Sequence, residues 1–434
     1  MENKKIKVVW VCRVSNEEIR NRIHIKNSKL FFLKGNPVYD CAQWNTNAIN
    51  EFKRFNDVEL HLISPHVAIS PKLEEFTIDG IHYHIFKSED DNLSFKVKRR
   101  LLKGKYETPD FKKNSKTILS IINRINPDLI HLIGAENPIY SSSALSIPRE
   151  IPLIVGLQTL MCDPKFKENY PISEKLYKYR SGIEVAIIKK AHFVCCKNNY
   201  FRNIIWTTIS DKIRILDLSL AVGENITKKI CEKVYTFVYF AKEIEKAADL
   251  AIEAFAIANR KHPEATMRII GGYGPHFKKQ LDDRMTELNI ADKVSFSGSL
   301  PTHKDVINEV HKARFAVLPL KIDLISGTIR EAMANGIPVV TTITPGTPKL
   351  NEKRKSVLLS EKGDHNAMAQ NMISLIENKE FADALRSNAY ETIKERYDNE
   401  AIIKEWRNAY YEVLENRKTG AKISMEIINN NGYE

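Results

Sequence analysis

The chain has 434 residues, 43% of them apolar and 28% charged, and a formal net charge of +12. That length exceeds what one ordinary core organises, so two domains are expected, and the composition excludes a disordered or fibrous chain. The positive excess asks for an anionic partner. Nucleic acid is disfavoured, because the chain carries no zinc-finger spacing, no RNP-like aromatic motif and no basic helix with heptads.

The first apolar run, Val8 to Cys12, follows Lys4, Lys5 and Lys7 and is too short for a secretory leader. No later run reaches the ~18 apolar residues of a membrane-spanning helix, so a cytoplasmic location is expected. Cys12, Cys41, Cys162, Cys195, Cys196 and Cys231 are thinly spread and read as free thiols. No His/Asp/Glu group has ligand spacing, so neither a metal nor another cofactor is expected.

In chain order, Lys7 to Cys12, Val58 to Ser64, Leu129 to Ile133, Leu153 to Leu157, Phe193 to Cys196 and Ile213 to Leu216 read as strands. Helical patterns at Gln43 to Phe55, Ser115 to Asn126 and Ile183 to Lys190 lie between them. The alternation predicts a parallel sheet covered by helices on both faces. Within this half, Lys96, Lys98, Arg99, Arg100, Lys103 and Lys105 interleave with Phe95, Val97, Leu101 and Leu102. That patch is either a solvated helix face or a surface for an anionic membrane leaflet. His131 closes a buried strand and reads as a core residue. Glu136 and Asn137 follow it past Gly134, at a strand's carboxyl end, where open α/β sheets bind ligands.

Strands recur at Tyr235 to Phe240, Met267 to Ile270, Val294 to Ser297, Phe315 to Leu320 and Ile337 to Thr341, so the fold class is α/β with two doubly wound lobes. The lobes are expected at 1–218 and 219–398. A final helix, Asn399 to Asn416, carries Ile402, Ile403, Trp406, Ala409, Tyr410 and Val413 at helical spacing, so that stripe must pack on something. The polar segment 418–434 is expected to be a flexible tail.

The most informative stretch runs from Phe315 to Thr347. A buried strand leads through a loop to a helix with Ser326 as N-cap, Gly336 just past its end and Pro338 blocking continuation. Unpaired amides near Ser326, Gly327 and Thr328 at a sheet's carboxyl edge suit a diphosphate. Asp323 and Glu331 stand eight positions apart around them.

At this point the chain resembles glycosyltransferase family 4. Glu331-Ala332-Met333-Ala334-Asn335-Gly336-Ile337-Pro338-Val339-Val340 is similar to that family's E-A-M-A-x-G-x-P-V-V run. Lys246 with Asp249 to Phe255, Gly272-Tyr273-Gly274-Pro275 and Val294 to Gly298 resemble three further motifs in the family's order. In the first half, Pro127-Asp128-Leu129-Ile130-His131 is similar to its P-D-x-I-H strand entry.

The resemblance implies a GT-B architecture of two Rossmann-like lobes facing a cleft, the helix at about 400–420 crossing back to complete the first. It implies a retaining, metal-independent transfer of a hexosyl unit from a UDP- or GDP-sugar to a glycan or lipid-linked acceptor, in polysaccharide or glycolipid synthesis. Peripheral contact with the inner membrane face is one option, and oligomeric state is left open. Carried over by position, Lys246, Asp323 and Glu331 are the implied catalytic residues, with Glu331 on the donor ribose, Lys246 on the diphosphate and Asp323 on the donor sugar. Gly272, Gly274, Ser297 and Gly298 are the implied donor contacts, joined by Ser326, Gly327 and Thr328 from the helix start and by Lys242, which can substitute for the arginine that the family has at 241. Gly35, Gln158, Glu136 and Asn137 are the candidates for the acceptor side.

Three departures stand out. Asp323 replaces a glutamate, Ala241 stands where the family has an arginine, and Gln158 stands where it has a histidine. The glycine pair after the first strand is also absent. These departures keep open an inert GT-B partner that binds nucleotide or glycan, and a sugar-nucleotide epimerase stays open because that chemistry also uses two such lobes.

Overall fold

The structure is a computed structural model and describes residues 5–25, 39–67, 69–89, 108, 110–169, 172–222, 232–321 and 326–429. Contacts divide the chain into two compact units, Met1–Ala221 with Asn399–Glu434, and Val222–Asp398.

The first unit is built on one sheet. Its strands are β1 (Ile6–Val11), β2 (Val58–His66), β3 (Leu73–Ile78), β4 (Ile81–Lys87), β5 (Leu129–Ile133), β6 (Leu153–Gly156), β7 (Phe193–Cys195), β8 (Ile215–Leu216) and β15 (Glu426–Ile427). Their order is β15-β8-β7-β6-β5-β1-β2-β4-β3. All neighbours pair in parallel except β3 with β4 and β15 with β8, at the two edges. Successive strands are added first on the β2 side of β1 and then on its β5 side, so the topological switch point lies between β1 and β5.

The period of two along each strand separates the core into layers. Val8, Trp10 and Cys12 point into one apolar layer, Val9 and Val11 into the other. The first layer receives Ile402, Ile403, Trp406, Ala409, Tyr410 and Val413 from the helix Asn399–Thr419, so the predicted stripe packs on the first unit's sheet.

Two features depart from the sequence reading. The hairpin β3–β4 was not anticipated, although its turn, Asp79-Gly80, is a strong signal: both residues have positive φ, 48° and 80°, as a two-residue hairpin turn requires. The segment 418–434, expected to be a flexible tail, is instead docked as far as 429. Ile423 is fully buried, β15 adds to the sheet edge, and Arg214 grips the Glu426 carboxylate at 2.6 and 2.7 Å. A polar composition hid the one buried side chain and the edge strand that hold it.

The second unit contains β9 (Tyr235–Glu243), β10 (Met267–Gly272), β11 (Val294–Gly298), β12 (Ala313–Val317), β13 (Val339–Thr342) and β14 (Leu358–Ser360). The sheet is parallel throughout, in the order β11-β10-β9-β12-β13-β14. Its switch point lies between β9 and β12. One apolar cluster fills both faces, from Phe237 and Phe240 on β9 to Met368, Met372 and Leu385 on covering helices. Among the described residues, no helix is long and apolar enough to cross a membrane.

Candidate functional site

The second unit's carboxyl edge carries those of the residues singled out from its sequence that the structure describes. Where β9 ends, Lys242 is exposed, and a short turn, Ile244–Lys246, buries Ile244 and leaves Lys246 at the surface. Where β12 ends, the chain reaches the helix Gly327–Ala334. Because β9 and β12 are hydrogen-bonded neighbours, these loops flank the switch point. An ion pair of 2.8 Å between Lys321, after β12, and Asp249, in the first turn after β9, spans it.

Three close approaches lock the loops together. Gly271 has φ 141°, and a Cβ there would lie 1.9 Å from the Ala241 carbonyl oxygen and 2.9 Å from Ile244, so only glycine fits. At Gly272 a Cβ would meet Ser299 Oγ at 2.8 Å, and the Gly274 amide donates to Glu245 Oε1 at 2.8 Å. Gly274 also precedes Pro275 and begins the helix Pro275–Glu287.

Glu331 is 8% exposed, and the position of a Cβ on Gly327 would be 4.0 Å from its Oε1. The carboxylate therefore leans back over the first turn, the direction helical side chains take, and ends near the helix N-terminus rather than on the helix flank. Ser326 caps that terminus, accepting from the Thr328 amide at 3.3 Å, with its hydroxyl 2.9 Å from Thr328 Oγ1. This corrects one detail: the Thr328 amide is occupied by the cap and is not an unpaired donor.

Beside Ser297 and Gly298, Phe296 carries Lys278 Nζ 4.2 Å from its ring centre and Tyr273 edge-on at 6.0 Å. Ser297 Oγ donates to the Gly298 carbonyl at 2.8 Å. Asp323 lies outside the described residues. The sequence reading missed Gly271, Glu245 and Lys321; the first was detectable as the start of a Gly-Gly pair closing an apolar strand.

In the first unit the candidates are less available. Asn137 caps a short helix through its Oδ1, at 3.3 Å from the Ile139 amide. Gln158 Nε2 reaches back to the Ile133 carbonyl at 3.4 Å. Glu136 receives Arg180 on its backbone oxygen at 2.7 and 3.0 Å, while burial raises its carboxyl pKa and leaves Oε2 with no hydrogen-bond partner among the described residues. Glu184 is a neighbouring buried carboxyl. Burial pushes it up to about 8, against the amides of Met161 and Cys162, which donate to it at 3.0 and 2.9 Å.

His131 is fully buried, 2.8 Å from Tyr410 Oη, and burial lowers its pKa to about 3, as fits a neutral core imidazole. Gly35 and the basic patch at 95–105 lie outside the described residues. Among the described residues, Glu59, His61 and His82 bring one potential ligand atom each to within 4.8 Å of one another. Glu59 and His61 sit on β2 and His82 on β4, so linear spacing does not show the group.

A family model, glycosyl transferases group 1, matches residues 227–392. The chain is 25% identical over 189 residues to N-acetyl-alpha-D-glucosaminyl L-malate synthase of Bacillus anthracis, covering 44% of this chain and 48% of that one. It is 22% identical over 176 residues to 2-deoxystreptamine N-acetyl-D-glucosaminyltransferase of Niallia circulans, covering 40% and 41%. The chain therefore spans about half the length, or less, of these relatives. In fold it is similar to sucrose-phosphate synthase from Thermosynechococcus elongatus, with a TM-score of 0.68, 14% identity and coverage of 95% of this chain and 100% of that one. It is also similar to Anabaena HepE, solved with UDP and glucose, with a TM-score of 0.59, 15% identity and coverage of 93% and 98%. The chain has the GT-B fold of these solved structures, and residues 227–392 match the glycosyl transferases group 1 model.

Proposed function

We propose that the chain transfers a hexosyl unit, with retention, from a UDP- or GDP-sugar held on the second unit to a glycan or lipid-linked acceptor. The single observation that carries this reading is the placement of the Glu331 carboxylate at the helix terminus on a switch-point edge, where ligands of open α/β sheets bind. UDP and glucose bound to HepE, and the sugar-transfer names of the two bacterial relatives, support the substrate class.

In this reading Glu331 accepts hydrogen bonds from the ribose hydroxyls. Lys246, with Lys242, stabilises charge on the departing diphosphate, the dominant task in such a transfer. Tyr273 and Phe296 flank the nucleobase beside Ser297 and Gly298. Gly272, Gly274, Ser326, Gly327 and Thr328 bring backbone and hydroxyl groups close to the phosphates, and Asp323 contacts the donor sugar. The leaving phosphate takes the acceptor proton, so Gln158, which cannot shuttle a proton near neutral pH, is compatible with turnover. Glu136, Asn137 and Gly35 belong to the acceptor side. No metal takes part in the transfer, and the protein works in the cytoplasm, at the inner membrane face where its acceptor is lipid-linked.

A second reading, a nucleotide-binding partner without turnover, is favoured by Ala241, whose methyl group offers the phosphates no charge. The two separate in one experiment. Incubation with UDP- and GDP-hexoses without acceptor should give slow release of the free sugar in the donor's anomeric form, abolished by Glu331→Ala. Tight nucleotide binding with no hydrolysis and no transfer would select the inert partner, and an isomerised sugar nucleotide would select the epimerase.

A further inference from the structure

Six polar residues of the first unit share one face of its sheet because they alternate along three adjacent strands. Glu59 and His61 lie on β2, His82 and His84 on β4, and Glu75 and Thr77 on β3. The register pairs His61 with His82, His82 with Thr77 and His84 with Glu75. The rings of His61 and His82 stack with centres 4.6 Å apart.

Four of these groups form a chain of contacts. Glu59 Oε1 lies 2.9 Å from His61 Nε2, His61 Nδ1 lies 3.1 Å from His84 Nε2, and His84 Nδ1 lies 2.5 Å from Glu75 Oε1. Each contact joins two atoms that repel unless a hydrogen lies between them, so three hydrogens are needed. Two neutral imidazoles supply two. Either an additional proton or another cation must complete the chain. The ligand atoms of Glu59, His61 and His82, all within 4.8 Å of one another, leave a position where one cation would meet all three.

We propose that Glu59, His61 and His82 bind one divalent transition-metal ion of the zinc class, with His84, Glu75 and Thr77 orienting the ligands. Two imidazoles and a carboxylate are a ligand set suited to such ions. With the ion between Glu59 and His61, His61 keeps its Nδ1–H for His84, and His84 keeps its own for Glu75, so every contact is satisfied. Thr77 Oγ1 meets His82 Nδ1 at 3.0 Å, which leaves Nε2 to ligate. These are the outer contacts that fix imidazole orientation at metal sites.

Charge is distributed to match. Arg124 pairs with Glu75 at the far end of the chain, and Lys7 stands 3.9 Å from Glu59 on an exposed side chain that can move aside. The site lies in the amino-terminal halves of β2 and β4, away from the sheet's carboxyl edge. Its consequence is structural: the ion clamps the β3–β4 hairpin onto β2.

The test uses the full chain, stripped of metal and titrated calorimetrically with Zn2+. One equivalent should bind and raise the melting temperature, since the ion binds the folded state. Glu59→Gln and His82→Ala, both at partly exposed positions, should each weaken binding by about a hundredfold while keeping the metal-free melting temperature. Glu75→Gln, which reaches the ligands through His84, should weaken it by about tenfold. The Co2+ form should show visible d–d bands without thiolate charge transfer. Equal binding by wild type and both ligand variants, a thiolate band, or no saturable binding would each overturn the proposal. Nucleotide binding enters none of these readouts.

Discussion

At the switch point of the second unit, the polar groups stand in loops a few residues from the glycines and caps that place them. Lys246 closes the turn after β9, Glu331 leans over its own helix terminus, and Gly271 fixes the loop spacing. At the switch point of the first unit, the polar groups are sunk and paired across long stretches of chain. His131 meets Tyr410, Glu184 holds the amides of Met161 and Cys162, and the Glu136 carbonyl holds Arg180. The same winding thus places its polar groups through local contacts in one unit, with the Lys246 ammonium exposed, and through remote contacts in the core of the other. Only the second unit's arrangement presents an exposed ammonium that can meet a diphosphate.

The largest effect expected from this contrast is on rate. Lys246→Ala should lower sugar-nucleotide hydrolysis by about 10²–10³-fold, the range for loss of one donor to developing charge, with little change in melting temperature because the side chain is exposed. A variant with near wild-type turnover would remove the contrast at its functional end. Next comes Gly271→Ala, whose methyl group would meet backbone rather than a movable side chain. Strain and clash together should destabilise the second unit by about 3 kcal/mol, visible in a denaturant titration. A silent substitution would mean that the β9 and β10 loops are not locked as described.

In the first unit, Tyr410→Phe removes the partner of Trp10 Nε1, 2.9 Å away, and of His131 Nδ1, 2.8 Å away, all within the core. Each stranded polar group costs about 1–3 kcal/mol, so thermal unfolding should fall by several degrees while nucleotide affinity is untouched. Loss of nucleotide affinity instead would tie the staple to the donor edge. The smallest effect belongs to Asp249→Asn. Its ion pair with Lys321 is partly exposed on both sides, and such pairs contribute below about 1 kcal/mol.

The same contrast decides what was legible in the sequence. The second unit's strands other than β14, the cap at Ser326 and the residues around Glu331 could be read because fold and chemistry there depend on neighbours within about one helical turn or one loop. The first unit hid more. The docking of 418–429 depends on a two-residue strand and one buried isoleucine, and the roles of Asn137 and Gln158 depend on which backbone group each side chain meets. The group Glu59, His61 and His82 went unseen for a related reason. Glu59 and His61 sit at a spacing of two, common on any strand, and only the β3–β4 hairpin brings His82 beside them. Recognising Asp79-Gly80 as a turn would have exposed that register.

The central claim is that the edge holding Lys246 and Glu331 cradles a nucleoside diphosphate. Calorimetric titration of the intact protein with UDP and with GDP tests it directly. Saturable one-to-one binding of one of them, lost in Glu331→Ala and weakened in Lys246→Ala while both variants stay folded, is the result expected. Absence of binding to either nucleotide, or binding indifferent to both substitutions, would contradict it.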